Sequence, residues 1–130
     1  MTAVVDASLL VAATTDAGPE GAWSELIVEN GPVVAPHLAL VEAANILRRL
    51  ELAEQLSTLE ATSAHQDLLQ MEIEVFPYEP FADRVWELRR NLTAYDGWYV
   101  ALAEALELPL ATLDRRLADA SGPRCRFLTP

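Results

Sequence analysis

Short, continuously apolar runs constrain this chain more than any other feature. Ala3-Val4-Val5 opens almost at the first residue and stops at Asp6, and Val33-Val34-Ala35 is closed by Pro36. Neither run alternates apolar with polar residues. Each therefore reads as a strand covered on both faces, the environment of a parallel sheet between helical layers. Residues 73–76 and 110–112 read as further strands, and 126–128 as a fifth at an edge. Longer stretches with helical spacing separate them: one starting over residues 8–13, then 19–29, 38–52, 58–71, 81–92, 95–106 and 115–120. Pro19 falls near a first helical turn, where a missing N–H costs little. On 38–52 the apolar face is expected from Leu40, Val41, Ala44 and Leu47, with Leu50 or Ile46; on 81–92 it is Val85, Leu88 and Leu92. Strands of three to five residues alternating with helices specify an α/β domain with a short, mostly parallel sheet of four to five strands. The 130 residues suit a single domain, 1–130.

Composition removes several functions. Apolar residues make up 52% of the chain, enough for a real core despite a net charge of −11. One cysteine, Cys125, excludes an internal disulfide framework and a Cys-rich zinc site. No leader pattern and no apolar run of about 20 residues is visible, so the expectation is a cytoplasmic protein with no membrane role. All nine basic residues are arginine. Without a lysine, neither a phosphate-binding P-loop nor a Schiff-base mechanism is available.

Four acids then draw the eye. Asp6 directly follows the first strand, Asp114 follows the fourth, and Asp96 begins the helix before the fourth. In a parallel sheet, strand ends and following helix starts share one rim, where sites of such folds lie. Glu42 falls about one turn into its helix, on a stripe with Leu38, Asn45 and Arg49 that is separate from the apolar one. Each acid also has a local explanation. Asp6 and Asp114 suit helix caps, Thr93-Ala94-Tyr95-Asp96 matches a capping box, and Glu42 suits a solvated helix face.

Convergence of all four is what those local explanations leave unexplained. Two carboxylates about 4 Å apart repel by roughly 4 kcal/mol at an effective dielectric near 20. Such a cluster persists only when partly protonated or neutralised by cations. Mg²⁺ or Mn²⁺, held by a few carboxylates and several waters, answers that need best. The chemistry such a site supports without histidine or lysine is phosphodiester hydrolysis.

Val4-Val5-Asp6-Ala7-Ser8, the segment from Glu42 to Arg49, the segment from Tyr95 to Ala103 and the segment from Ala111 to Leu117 together resemble the PIN-domain ribonucleases, and most of all the VapC toxins of bacterial toxin–antitoxin pairs. The resemblance covers essentially the whole chain. It implies a three-layer α/β/α fold and a Mg²⁺- or Mn²⁺-dependent endoribonuclease that cleaves structured RNA, such as transfer or ribosomal RNA, and so inhibits translation. It also implies a homodimer and a cognate VapB-like antitoxin whose C-terminal segment blocks the site. By the same resemblance Asp6, Glu42, Asp96 and Asp114 are the metal-binding catalytic acids, with Asp6 and Asp96 the direct ligands. Ser8, Thr112 and Asn45 are implied to line the site. One departure stands out: Arg115 and Arg116 follow Asp114, where family members often carry another acid, leaving fewer ligands for a second ion. A non-catalytic PIN-fold binding module and a PIN nuclease outside a toxin–antitoxin pair are the alternatives. A receiver or phosphatase is disfavoured by the missing lysine and the missing Asp-x-Asp after the first strand.

A charge of −11 opposes nucleic-acid binding, which rests on phosphate neutralisation. The arginines, however, come in pairs, and Arg49, Arg115 and Arg116 adjoin the acidic residues; they are the expected contacts to RNA or antitoxin, unless they pair with Glu51, Glu87 or Asp119. Trp23, Trp98 and Tyr99 are expected in the core or a dimer contact rather than stacked on bases. His37 and His65 read as local hydrogen-bonders.

Overall fold

The computed structural model describes residues 2–130. Its elements run β1 (Val4–Val5), α1 (Ala7–Thr15), α2 (Pro19–Glu29), β2 (Val33–Pro36), α3 (Ala39–Leu52), α4 (Thr58–Gln70), β3 (Ile73–Phe76), a 3₁₀ turn (Glu79–Phe81), α5 (Ala82–Glu87), α6 (Ala94–Leu106), β4 (Leu110–Ala111), α7 (Arg115–Ala118) and β5 (Phe127–Leu128). The five strands lie in the order β3-β2-β1-β4-β5, and every pairing is parallel. Val4 sits opposite Val34 on one side and Leu110 on the other. This central position explains the uninterrupted apolar run: Val4, Val5, Val33, Val34 and Leu110 are wholly buried.

From β1 the chain steps outward through β2 to β3, then returns to place β4 on the other side of β1. Right-handed crossovers therefore put α1–α4 on one face of the sheet and α5–α7 on the other. Packing follows this division. α1 contacts α2, α3 and α4, whereas α6 lies along β1, β2 and β4 and carries α5. The result is three layers. The reversal between β1 and β4 is the topological switch point, which opens a crevice at their carboxyl ends.

Two details differ from the sequence expectation. Val41 is 63% exposed, while Ala39, Ala43 and Leu47 form the buried line of α3, flanked by Leu40, Ile46 and Leu50. The periodicity was sound, but the small alanines, rather than the larger valine, face inward and let the helix approach closely. The segment 81–92 is also not one helix. α5 ends at Glu87 with Leu88 as its C-cap, and the chain continues in turns, with Asn91 and Leu92 both donating to the Leu88 carbonyl. Thr93 must adopt an extended conformation (φ −64°, ψ 160°) to cap α6, so a helix cannot run into it. Val85, Leu88 and Leu92 are nevertheless buried as expected. α6 crosses α5 closely at Gly97, where an added Cβ would lie 3.3 Å from a methyl of Val85. A bidentate pair between Arg84 and Glu104, reinforced by Arg84 donating to the Gly122 carbonyl, ties α5, α6 and the C-terminal loop together.

Candidate active site

The site is built outward from Asp6. Leaving β1, the residue takes an extended conformation (φ −96°, ψ 173°) and becomes the N-cap of α1. One carboxylate oxygen accepts from the Leu9 N–H at 3.0 Å and from the Ser8 hydroxyl at 2.6 Å. The other accepts from the hydroxyl of Thr112, a fully buried residue at the end of β4. That hydroxyl in turn accepts from the Asp114 N–H at 2.9 Å. Asp114 caps α7, its carboxylate accepting from the Arg116 and Leu117 N–H groups. A single threonine thus joins the ends of the two strands at the switch point. Asp6 and Asp114 are both helix caps, and the capping conformation aims their carboxylates over the strand ends, so the cap does not compete with a role in a site there.

Asp96 enters from the first turn of α6. Thr93 caps that helix by accepting from the Asp96 N–H at 3.2 Å. The Asp96 carboxylate keeps only a weak contact with the Thr93 hydroxyl and faces Asp114 and Asp6. Glu42 comes from the first turn of α3, on the opposite layer, and accepts from the Tyr99 hydroxyl at 2.9 Å. A cleft of about 220 Å³ runs between α6 and α7 beside these groups, lined by Asp96, Asp114, Thr93 and Arg116 among others.

Asp6, Glu42 and Asp96 each feel the charge of at least one other acid of the set. Burial pushes the pKa of Asp6 up; hydrogen bonds from Ser8, Thr112 and Leu9 pull it down, and the Asp114 charge adds to the rise. Burial likewise raises Asp96, followed by repulsion from Asp114 and Asp6, with Arg116 opposing. Burial raises Glu42 as well; the Tyr99 hydrogen bond opposes, and Asp96 and Asp6 add to it. Tyr99, enclosed and next to Glu42, is held in its protonated form, so it acts as a permanent donor. Repulsion between neighbouring acids thus contributes to each of these rises, behind burial.

Among the described residues no three His, Cys, Asp or Glu side chains already form a cage able to hold an ion. The donor set nevertheless fits a hard cation that keeps most of its waters: oxygen donors only, half or more enclosed, and destabilised by one another. Such ions use one or two carboxylates directly, so a ready-made cage is not required.

Other expected residues fall into place unevenly. Ser8 and Thr112 belong to the Asp6 network. Asn45 is exposed one turn beyond Glu42 on α3. Arg49, also exposed, lies seven residues from Glu42, roughly 10 Å along the helix. Of the paired arginines after Asp114, Arg116 borders the acids, whereas Arg115 is turned away to donate to the Pro130 carbonyl at 3.0 Å. Among the described residues only Arg84 forms ion pairs, so the arginines near the acids are not consumed by Glu51 or Asp119. Trp98 is buried against Val85, Ala101 and Phe81, and Trp23 packs on the main core. Tyr99, expected from the sequence as a core or dimer contact, is in the core and also reaches the acids through Glu42. Its signal was the three-residue spacing from Asp96, which puts both on one face of α6.

Comparison with known proteins places this all-parallel α/β/α domain, with acids gathered at its switch point, among the PIN-domain ribonucleases. The PIN domain family profile matches residues 3–123. Ribonuclease VapC9 of Mycobacterium tuberculosis is 39% identical over 122 residues, covering 94% of this chain and 93% of that protein. Ribonuclease VapC1 of the same species is 37% identical over 125 residues, covering 95% and 94%. Among solved structures, PAE2754 from Pyrobaculum aerophilum superposes with a TM-score of 0.71 at 25% identity, covering 91% of this chain and 78% of that one. VapC20 of M. tuberculosis, a sarcin-ricin loop cleaving toxin, superposes with a TM-score of 0.70 at 16% identity, covering 99% and 100%. The chain belongs to the PIN-domain family, with the VapC ribonucleases as its relatives.

Proposed function

We propose that this chain is a Mg²⁺- or Mn²⁺-dependent endoribonuclease acting on structured RNA, and the toxin of a toxin–antitoxin pair. The observation that carries this reading is the set of mutually repelling carboxylates, Asp6, Glu42, Asp96 and Asp114, gathered over the β1–β4 crevice. Asp6 and Asp96 would hold the cation, with Glu42 and Asp114 completing the negative surround. When bound, a divalent cation supplies Lewis-acid activation of the phosphodiester and a lowered pKa for a water nucleophile.

The chain's own residues do the rest. Thr112 and Ser8 hold Asp6 in one rotamer through their hydroxyls. Arg116, which forms no ion pair among the described residues, borders Asp96 and Asp114 and would receive a phosphate there, and Arg49 would contact the RNA farther along α3. Local positive charge beside the acids offsets the unfavourable net charge during RNA binding. That same net charge favours a basic antitoxin segment. Exposed apolar side chains such as Val41 and Leu52 on α3 and Leu59 on α4 leave surface for a VapB-like antitoxin or a second copy in a homodimer. No helix among the described residues is long and apolar enough to cross a membrane; a cytoplasmic protein acting on transfer or ribosomal RNA fits this reading.

The test is cleavage of purified tRNA and rRNA in Mg²⁺, in Mn²⁺ and in EDTA. Activity should require the metal and disappear in Asp6→Asn, which preserves the N-cap. Cleavage that persists in EDTA contradicts the reading. Absence of cleavage and of saturable Mn²⁺ binding favours a non-catalytic module instead.

A further inference from the structure

Glu42 and Asp96 reach the pocket from opposite helical layers, yet one helix governs both. Tyr99 lies three residues after Asp96 on α6, on the same face. Its ring is 2% exposed and packs within the main core, so it has no room to swing. Its hydroxyl spans 57 positions of sequence to donate to Glu42 Oε1 at 2.9 Å. The Glu42 carboxylate has no other hydrogen bond among the described residues, and the side chain is only half-enclosed. Without that bond its side chain is free to turn outward along the exposed flank of α3. A carboxylate offers about four lone-pair positions; the Tyr99 hydroxyl occupies one on Oε1 and leaves Oε2 open.

We propose that Tyr99 is a positioning residue of the nuclease site, which acts through Glu42 by fixing one carboxylate oxygen so that the other faces the acidic pocket. The inference rests on the cation-dependent reading of that pocket. It makes α6 the element that sets two of the four acids, Asp96 directly and Glu42 through a hydroxyl anchored in the core. The strap also crosses from one helical layer to the other at the sheet's carboxyl edge, so the site forms only when both layers are docked.

Mn²⁺ titration calorimetry on wild type, Tyr99→Phe, Glu42→Gln and the double variant tests it. Tyr99→Phe keeps the buried ring and removes only the hydroxyl. It should weaken Mn²⁺ binding roughly tenfold, the lower end of what loss of an outer-shell group around a metal site costs, because Glu42 then no longer faces the ion. In the Glu42→Gln background the same change should have no further effect. Equal Mn²⁺ affinity in wild type and Tyr99→Phe overturns the proposal, as does an undiminished loss in the Glu42→Gln background, which would mean that Tyr99 acts elsewhere. Wild type that binds no Mn²⁺ overturns the nuclease reading along with it, a result distinct from the other two. Fluorine NMR supplies a readout on the unaltered fold. The chain has three tyrosines, and in protein labelled with 3-fluorotyrosine the buried Tyr99 resonance should move when Mg²⁺ is added. A Tyr99 resonance that stays in place while Mg²⁺ saturates the site overturns the proposal.

Discussion

Replacing Asp96 with asparagine separates its two roles, because the helix cap beneath it belongs to Thr93 and survives the change. Thr93 accepts from the backbone N–H of residue 96, which asparagine retains. What is lost is a negative charge facing Asp114 and Asp6, with Glu42 also sensing it. Two charges about 8 Å apart interact by roughly 2 kcal/mol at an effective dielectric near 20, and by a quarter of that in water. Asp96 is partly exposed, so the lower half of this range applies to each neighbour. Against the relief stand the attraction of Arg116 and the favourable placement of an acid at a helix N-terminus, worth about 0.3–1 kcal/mol. The repulsions outnumber the attractions, and the net expectation is about 1 kcal/mol of stabilisation without metal. For a domain of this size that raises the melting temperature by roughly 3–5 °C. Saturating Mn²⁺ should reverse the order. A ligand at a hundred times its Kd stabilises the native state by about 2.7 kcal/mol, a gain the variant forfeits. The assay is thermal unfolding by circular dichroism of both proteins in EDTA and in Mn²⁺. A variant that melts below wild type in EDTA would show that Asp96 chiefly serves the helix start, and would refute the repulsion argument.

Further expectations follow from the same geometry. Thr112→Val removes the donor to the buried Asp6 oxygen and the acceptor for the Asp114 N–H, and should cost about 1–3 kcal/mol in a denaturant melt, with Thr112→Ser restoring most of it; equal stability of the valine variant would contradict the network. Asp6, Glu42 and Asp96 all have raised native pKa values, so above the ordinary values of 3.8 and 4.5 the native state holds more protons than the unfolded chain. Their contribution is therefore greatest at the acid end of that window, and metal-free stability falls as pH rises through it; Glu104, lowered in the fold, contributes in the opposite sense and loses its effect as pH falls. The triple amide variant of Asp6, Glu42 and Asp96 should show a shallower fall in melting temperature with rising pH, and an unchanged slope would contradict the assignment. Arg116→Gln should raise KM for RNA roughly tenfold and reduce the salt dependence of binding, while Arg115→Gln, whose guanidinium is engaged by Pro130, should change both less; equal effects would show that the arginine pair acts as one diffuse charge.

Much of this architecture was legible in the sequence because burial on both faces leaves an unmistakable pattern. The apolar runs Ala3–Val5 and Val33–Ala35 marked the central strands, although β2 runs on through Pro36, expected to close it; β3 and α2 begin and end where periodicity and proline placement put them. The inward face of α3 was less legible, since Ala39 and Ala43 carry little hydrophobic signal beside Val41. The turn after Leu88 depends on the conformation that Thr93 needs as a cap, a constraint that the spacing of Val85, Leu88 and Leu92 does not reveal. In the site, Asp6 and Asp114 could be placed at strand ends by chain order. Their connection through Thr112 could not, because it spans 106 residues and depends on the pairing of β1 with β4. The divergence of Arg115 and Arg116 is equally invisible in sequence, where they are neighbours with one chemistry.

The claim on which the rest depends is that the four acids form one cation site at the switch point, and anomalous scattering from crystals soaked in Mn²⁺ addresses it most directly. The account predicts a manganese peak bonded to carboxylate oxygens of Asp6 and Asp96, with Glu42 and Asp114 around it. Manganese found only at other acids on the surface, with the Asp6 and Asp96 carboxylates free of it, would contradict it.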